Sequence, residues 1–166
     1  METRPKLNLE PSKLDSLLAS ASMFVWIIML CLTIYVLFKL PDTIPTHFNA
    51  SGEPNDFGGK ETILVLPFLA TLVYWSLNIL NKYPQFFNFS VTITPENAER
   101  QYTLATRMIR FLQLGLLIIF TFIILFTYLT AIKLTNGLGI WFLPIILALI
   151  NIPIVITLIQ SFKKQS

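Results

Sequence analysis

Four stretches carry no charged residue, and they constrain this chain more than any motif: 17–38, 62–81, 111–132 and 138–162. Crossing a hydrocarbon core takes about 20 predominantly apolar helical residues, and all four stretches are long enough. Only 13% of the 166 residues are charged, against about 25% in a soluble domain. The expected fold class is all-α integral membrane: four transmembrane helices, an ordered extracytoplasmic loop after the first, and a cytoplasmic extension of the third. The first stretch is longer than the roughly 7–15 residues of a signal-peptide core and reads as an uncleaved anchor.

The remainder divides into an N-terminal segment 1–16, a loop 39–61, a connection and helix 82–110, a turn 133–137 and a tail 163–166. Lys and Arg favour the cytoplasmic side. With both termini inside, nine of the twelve fall inside and three outside. The expected location is therefore the cell membrane, multi-pass, with both termini cytoplasmic and the 39–61 loop facing outward. The net charge of +3 reports this placement and does not imply nucleic acid as a partner. The bilayer is the implied partner. A peptide, another membrane protein or a second copy of the chain is left open.

Ser12 and Asp15 have the spacing of a capping box, which starts the first helix. Pro67 is expected to bend the second helix. Asn151 beside Pro153 is expected to satisfy a kink in the fourth. Phe87, Phe89, Val91 and Ile93 alternate with polar residues, as do residues 6–9. Period two is a strand signal and suggests a small cytoplasmic β-ribbon; the alternative is an extended segment with its phenylalanines toward the membrane. Thr94-Pro95-Glu96 has the chemistry of a helix start. No breaker intervenes before Gly115, and the third helix is expected to run from Pro95 to Lys133. Arg100, Arg107 and Arg110 then form a cytoplasmic face, either solvated or meeting lipid phosphates or an acidic partner.

Residues 40–60, LPDTIPTHFNASGEPNDFGGK, hold the single histidine, three prolines and three glycines. Pro41 and Pro45 forbid a helix. Residues 49–52 read as a turn with Gly52 free to take positive φ, and 53–56 as a second turn. Ile44, Phe48 and Phe57 are the apolar residues expected to dock the loop on the helix ends. Asp42, His47, Glu53 and Asp56 could each ligate a metal, but a lone histidine without recurring ligand spacing does not define a site. No metal or cofactor is expected. His47 or Asp56 could act as a base, yet no nucleophile motif accompanies them, so no catalytic residues and no enzymatic activity are expected.

This stretch resembles the signature of a bacterial membrane domain of unknown function that is shared with the N-terminal part of SdpI-type immunity proteins. Leu40, Pro41, Asp42, Ile44, Pro45, His47, Phe48, Asn49, Gly52, Asp56, Gly59 and Lys60 carry the resemblance. Residues 93–102 resemble the segment before the third helix of short members. The resemblance implies an integral membrane protein; in the immunity branch, relatives protect the cell from a secreted toxin and signal to a repressor. At 166 residues the chain is short beside that branch, and the additional C-terminal helices of the full immunity protein are not expected in it. Three functions follow as expectations: a non-enzymatic sensor or immunity-like binder using the loop; a small transporter or channel component, for which only Asn78, Gln113 and Asn151 are polar candidates; and a membrane enzyme with His47 and Asp56 at the outer surface.

Overall fold

The computed structural model describes residues 4–163. The tail residue Lys164, counted in the charge split, lies outside them, as do residues 1–3. Among the described residues four helical segments are long and apolar enough to cross a membrane: α1 (Lys13–Leu37), Lys60–Leu80, which ends in α2 (Val65–Leu80), α3 (Ala98–Ala131) and α4 (Phe142–Phe162). A small antiparallel sheet, β1 (Thr43–Phe48) with β2 (Pro54–Gly59), lies between α1 and α2. A short 3₁₀ segment, Lys60–Leu64, leads from the sheet into α2.

Helix α3 is the centre. At 34 residues it extends about 51 Å at 1.5 Å per residue. It packs against α1, α2 and α4, while α4 packs chiefly on α3. The best-buried apolar cluster joins Met29 and Val36 of α1, Ala70 and Tyr74 of α2, and Leu117 and Ile124 of α3. Leu40, Ile44 and Ile63 extend that cluster into the hairpin region. Phe24, Phe68, Trp75 and Phe122 are among many large apolar side chains on the outer faces, and α4 buries none of its residues. Such a surface suits lipid as solvent. There the helices gain little by excluding apolar faces from lipid, and packing and hydrogen bonds matter more. Trp26 Nε1 donates to Thr71 Oγ1 at 3.0 Å and its ring stacks on Tyr74 at 5.2 Å. Gln113 donates to the Tyr74 carbonyl at 3.1 Å, and Asn78 to the same carbonyl at 2.8 Å.

One local expectation is met and others change. Helix α1 starts at Lys13, with the Ser12–Asp15 capping box formed in both directions. Pro67 does not sit inside a regular helix. It is the third residue of α2, just past the junction with the 3₁₀ segment Lys60–Leu64. In α4, Asn151 donates to Leu147 O at 2.8 Å. Pro153 lacks the N–H that would pair with Leu149 O, so Asn151 does not satisfy the carbonyl that the proline frees. Residues 95–97 form a turn and α3 begins at Ala98. Ala98 N still donates to Thr94 O at 2.9 Å, so Thr94 closes the first turn through its backbone. Its side chain bonds to Glu96 and holds that carboxyl below its usual range.

The expected ribbon between residues 6–9 and 87–93 is absent among the described residues; the sheet forms in the 40–60 loop instead. The chain just before residue 6 reaches the second segment through a side chain. Arg4 donates to Gln85 O at 3.3 Å and Phe87 O at 2.5 Å, and its guanidinium lies 5.5 Å from the Phe89 ring centre. Phe89 packs at 5.5 Å on the buried Tyr102 ring. Alternation here records which rings turn toward α3, not a strand ladder.

Candidate functional site

The hairpin is closed at its base, turn and tip by different bonds. At the base, Lys60 N donates to Asp42 O at 3.0 Å, and Lys60 Nζ to Asp42 Oδ1 at 2.8 Å. The lysine hydrogen bond and charge hold the Asp42 carboxyl below its usual range. At the turn, the Asn49 side chain does what a turn backbone would. Its Oδ1 accepts from Ser51 N at 2.9 Å and Glu53 N at 3.0 Å, and its Nδ2 donates to Glu53 at 3.2 Å. Side-chain mimicry of this kind is why asparagine recurs in turns.

Pro45 and Pro54 both lie in strands. Proline cannot donate to a ladder and is confined to edges and bulges. The register provides this: Pro45 pairs with Phe57, His47 with Asp56, and Phe48 with Pro54. Thr46 and Asn55 are therefore each an extra residue, on opposite strands. Residues 53–56, expected as a turn, mostly belong to β2. Asn55, displaced by its bulge, brings Oδ1 to 2.5 Å from His47 Nδ1. The contact ties the imidazole to the bulged residue across the hairpin.

A two-stranded hairpin is marginal by itself, and this one leans on the bundle. Ile44 is 1% exposed and Phe48 half-buried. Together with Pro45, Ile63, Ile123 and Thr127 they line an apolar groove of about 440 Å³. The tip is held by the turn between α3 and α4: Leu138 N donates to Gly52 O at 2.7 Å. Gly52 has φ 79°, and a Cβ there would fall 2.6 Å from Gly139 N; a Cβ on Gly137, at φ 142°, would fall 2.0 Å from Gly52 O. Two chain segments meet backbone to backbone, which only glycine permits. Phe57 departs from expectation: it is 57% exposed and docks nothing. His47, Asn55 and Asp56 are exposed beside it. The structure thus brings Asp42, Pro45, His47, Phe48, Asn49, Gly52, Asp56, Gly59 and Lys60 into one hairpin, with Pro41 just before it. Among the described residues no three metal-ligating side chains converge.

The opposite end holds the three arginines, and they do not form one solvated face. Arg100 donates to the carbonyls of Gln160 and Lys163, the latter at 2.9 Å. It satisfies carbonyls left over at the end of α4. Arg107 grips Asp15 through Nε at 3.0 Å and Nη2 at 3.1 Å, and Nη2 also reaches Ser12 Oγ at 3.1 Å. Arg110 lies 3.7 Å from the same carboxylate. Asp15 is 3% exposed, and sequence reasoning saw in it only a helix cap. The signal was present: an acid at the start of one apolar run and two arginines just before another place opposite charges at one depth.

The class so defined is a helical protein with four helices able to span a membrane and a docked β-hairpin between the first two. The family described as "Domain of unknown function (DUF1648)" matches residues 24–71, under a third of the chain, running from α1 through the hairpin into α2. An uncharacterized protein of Archaeoglobus fulgidus is 40% identical over 58 residues, covering 30% of this chain. The match spans 32% of that relative's length. No solved structure matches the chain.

Proposed function

We propose that this is a multi-pass cell-membrane protein with both termini cytoplasmic, and that its outward-facing hairpin is a non-enzymatic recognition element. The observation that carries the reading is a preformed hairpin with an exposed aromatic. Its polar side chains Asp42, Asn49 and Lys60 are spent on its own shape, while Phe57, His47 and Asp56 face solvent. A rigid element with an exposed aromatic loses little entropy on binding. A peptide or another membrane protein is the fitting class of partner. The resemblance of residues 40–60 to SdpI-type immunity proteins supports a sensor or immunity-like role.

Orientation is tested with Ser51→Cys in a Cys31→Ala background. Labelling of intact cells by a membrane-impermeant maleimide is expected; labelling only after lysis overturns the outward hairpin. Recognition is tested with a photocrosslinking residue at position 57 in cells exposed to secreted antibacterial peptides. A crosslink to an external polypeptide, lost in Asp56→Ala while insertion persists, is expected. No crosslink, together with equal survival with and without the chain, overturns the binder reading.

A further inference from the structure

Helix α4 is held mainly from one side. It packs chiefly on α3, and none of its residues is buried. Two residues mark the side against α3. A Cβ on Gly115 would meet the Cβ of Leu149 at 3.9 Å, and the Ser161 hydroxyl donates to Gln101 at 2.6 Å.

The other side carries a polar group at a depth where lipid offers it nothing. Asn151 is the tenth of the 21 residues of α4 and lies midway along the uncharged stretch 138–162. A helix turns about 100° per residue, so Asn151, two positions beyond Leu149, points about 200° away from it. It is exposed there. Asn78 of α2 and Gln113 of α3, amides in other uncharged stretches, turn inward and share the Tyr74 carbonyl. Asn151 has no such partner. Among the described residues its one side-chain bond runs from Nδ2 to Leu147 O, at 2.8 Å, within its own helix. An asparagine amide has two donor hydrogens and an acceptor oxygen. One donor and the oxygen are left facing a solvent that makes no hydrogen bonds.

The surroundings of Asn151 form a seam. Ala148, Asn151, Val155, Leu158 and Phe162 are all exposed and follow one another at intervals of three, four, three and four residues. That alternation is the 3.5-residue period of helices packed along a common line, and one asparagine within such a line fixes its register and oligomer state. Ala148, about one turn before Asn151, is small enough for two backbones to approach. Depth selects the occupant. Copies of one chain insert with one orientation, and a two-fold axis along the membrane normal sets each residue opposite its own counterpart. Asparagine then meets asparagine at the same level, and the amide is its own complement: each donates to the other's oxygen.

We infer that α4 pairs with α4 of a second copy of the chain along this seam, with the two Asn151 amides hydrogen-bonded to each other in the middle of the membrane. The inference rests on α4 spanning a bilayer and is independent of what the hairpin recognises.

The full chain reconstituted in lipid vesicles tests it, with Förster transfer between donor- and acceptor-labelled copies followed as added lipid dilutes them. A dimer is expected. Asn151→Leu is expected to weaken it about tenfold, the scale of one or two interhelical hydrogen bonds in lipid. Asn151→Gln keeps the amide and is expected to restore part of the loss. Leucine suits a lipid-facing helix better than asparagine, so unfolding would not account for the change. Disulfide trapping in cell membranes, in a Cys31→Ala background, locates the seam. Val155→Cys and Leu158→Cys are expected to link two copies. Ile145→Cys and Ile156→Cys are expected not to, although the native residues are 54% and 48% exposed, because they lie about 120–140° around the helix from Asn151. Copies that stay monomeric at every dilution would overturn the pairing, as would a dimer indifferent to Asn151→Leu. A disulfide from Val155→Cys to a different polypeptide would overturn the second copy as the occupant. Release of the chain from vesicles by alkaline carbonate would overturn the spanning of α4, and the pairing with it.

Discussion

At one end of the helices, a carboxylate that water barely reaches ties α1 to α3. At the other, an exposed hairpin is tied to the α3–α4 turn through backbone atoms. The first joint is electrostatic and buried, so it depends on one pairing being complete. The second is steric and distributed, so it depends on glycine at the points of closest approach. Helices in lipid have little apolar driving force between them; here polar bonds join the helices at both ends, and what differs is how each clamp fails.

The largest effect is expected from removing one partner of the buried pair. Asp15→Ala leaves Arg107 and Arg110 facing each other without their carboxylate, and breaking a buried pair costs on the order of 3 kcal/mol. Thermal unfolding in detergent should show the loss. Arg107→Ala should show a similar one, and the double variant less than the sum. Additive losses would mean that the two side chains do not act as a pair.

Next is the hairpin tip. Gly137→Ala forces a Cβ to 2.0 Å from Gly52 O, so the tip must leave the turn. Hydrogen exchange should rise at Ser51, Gly52 and Leu138 and stay unchanged at Arg107. Faster exchange at both ends would show that the two clamps are one cooperative unit. Asn49→Ala removes the acceptor for Ser51 and Glu53, for about 1 kcal/mol, and should raise exchange at those two amides while the tip stays docked.

The smallest effect is that of pH at the hairpin base. Lys60 depresses the Asp42 carboxyl. A depressed carboxylate contributes above its unfolded pKa, and the contribution is lost as pH falls through the folded value. The Lys60 amide should therefore exchange faster, relative to its intrinsic rate, only below the usual carboxylate range. Lys60→Met should flatten that response. The effect is small because Asp42 is solvent-exposed, where ion pairs contribute little.

Much of this was legible in the residues. Four uncharged runs specified four helices, because in lipid every backbone group must be satisfied within its own segment. The capping box of α1 and the αL glycine at position 52 are local chemistry, readable over four residues. Strand placement was not. The alternating residues 87–93 look more like a strand than the proline-interrupted residues 43–59, yet the latter pair. They do so because two compensating bulges take Thr46 and Asn55 out of register and set Pro45 and Pro54 where no donor is needed. No local periodicity encodes that.

Sequence by itself determined the number of helices, their apolar character, the continuity of α3 and the chemistry of the hairpin turn. Each depends on residues a few positions apart, and the solvent they imply is set by composition. Tertiary structure alone decided the partners. It took Arg107 and Arg110 from an expected open face to Asp15 over ninety positions away, set Gly137 against Gly52, and turned Phe57 outward while Ile44 went in. Those outcomes depend on which helix faces meet and at what depth, which are properties of the packed bundle rather than of any stretch of chain.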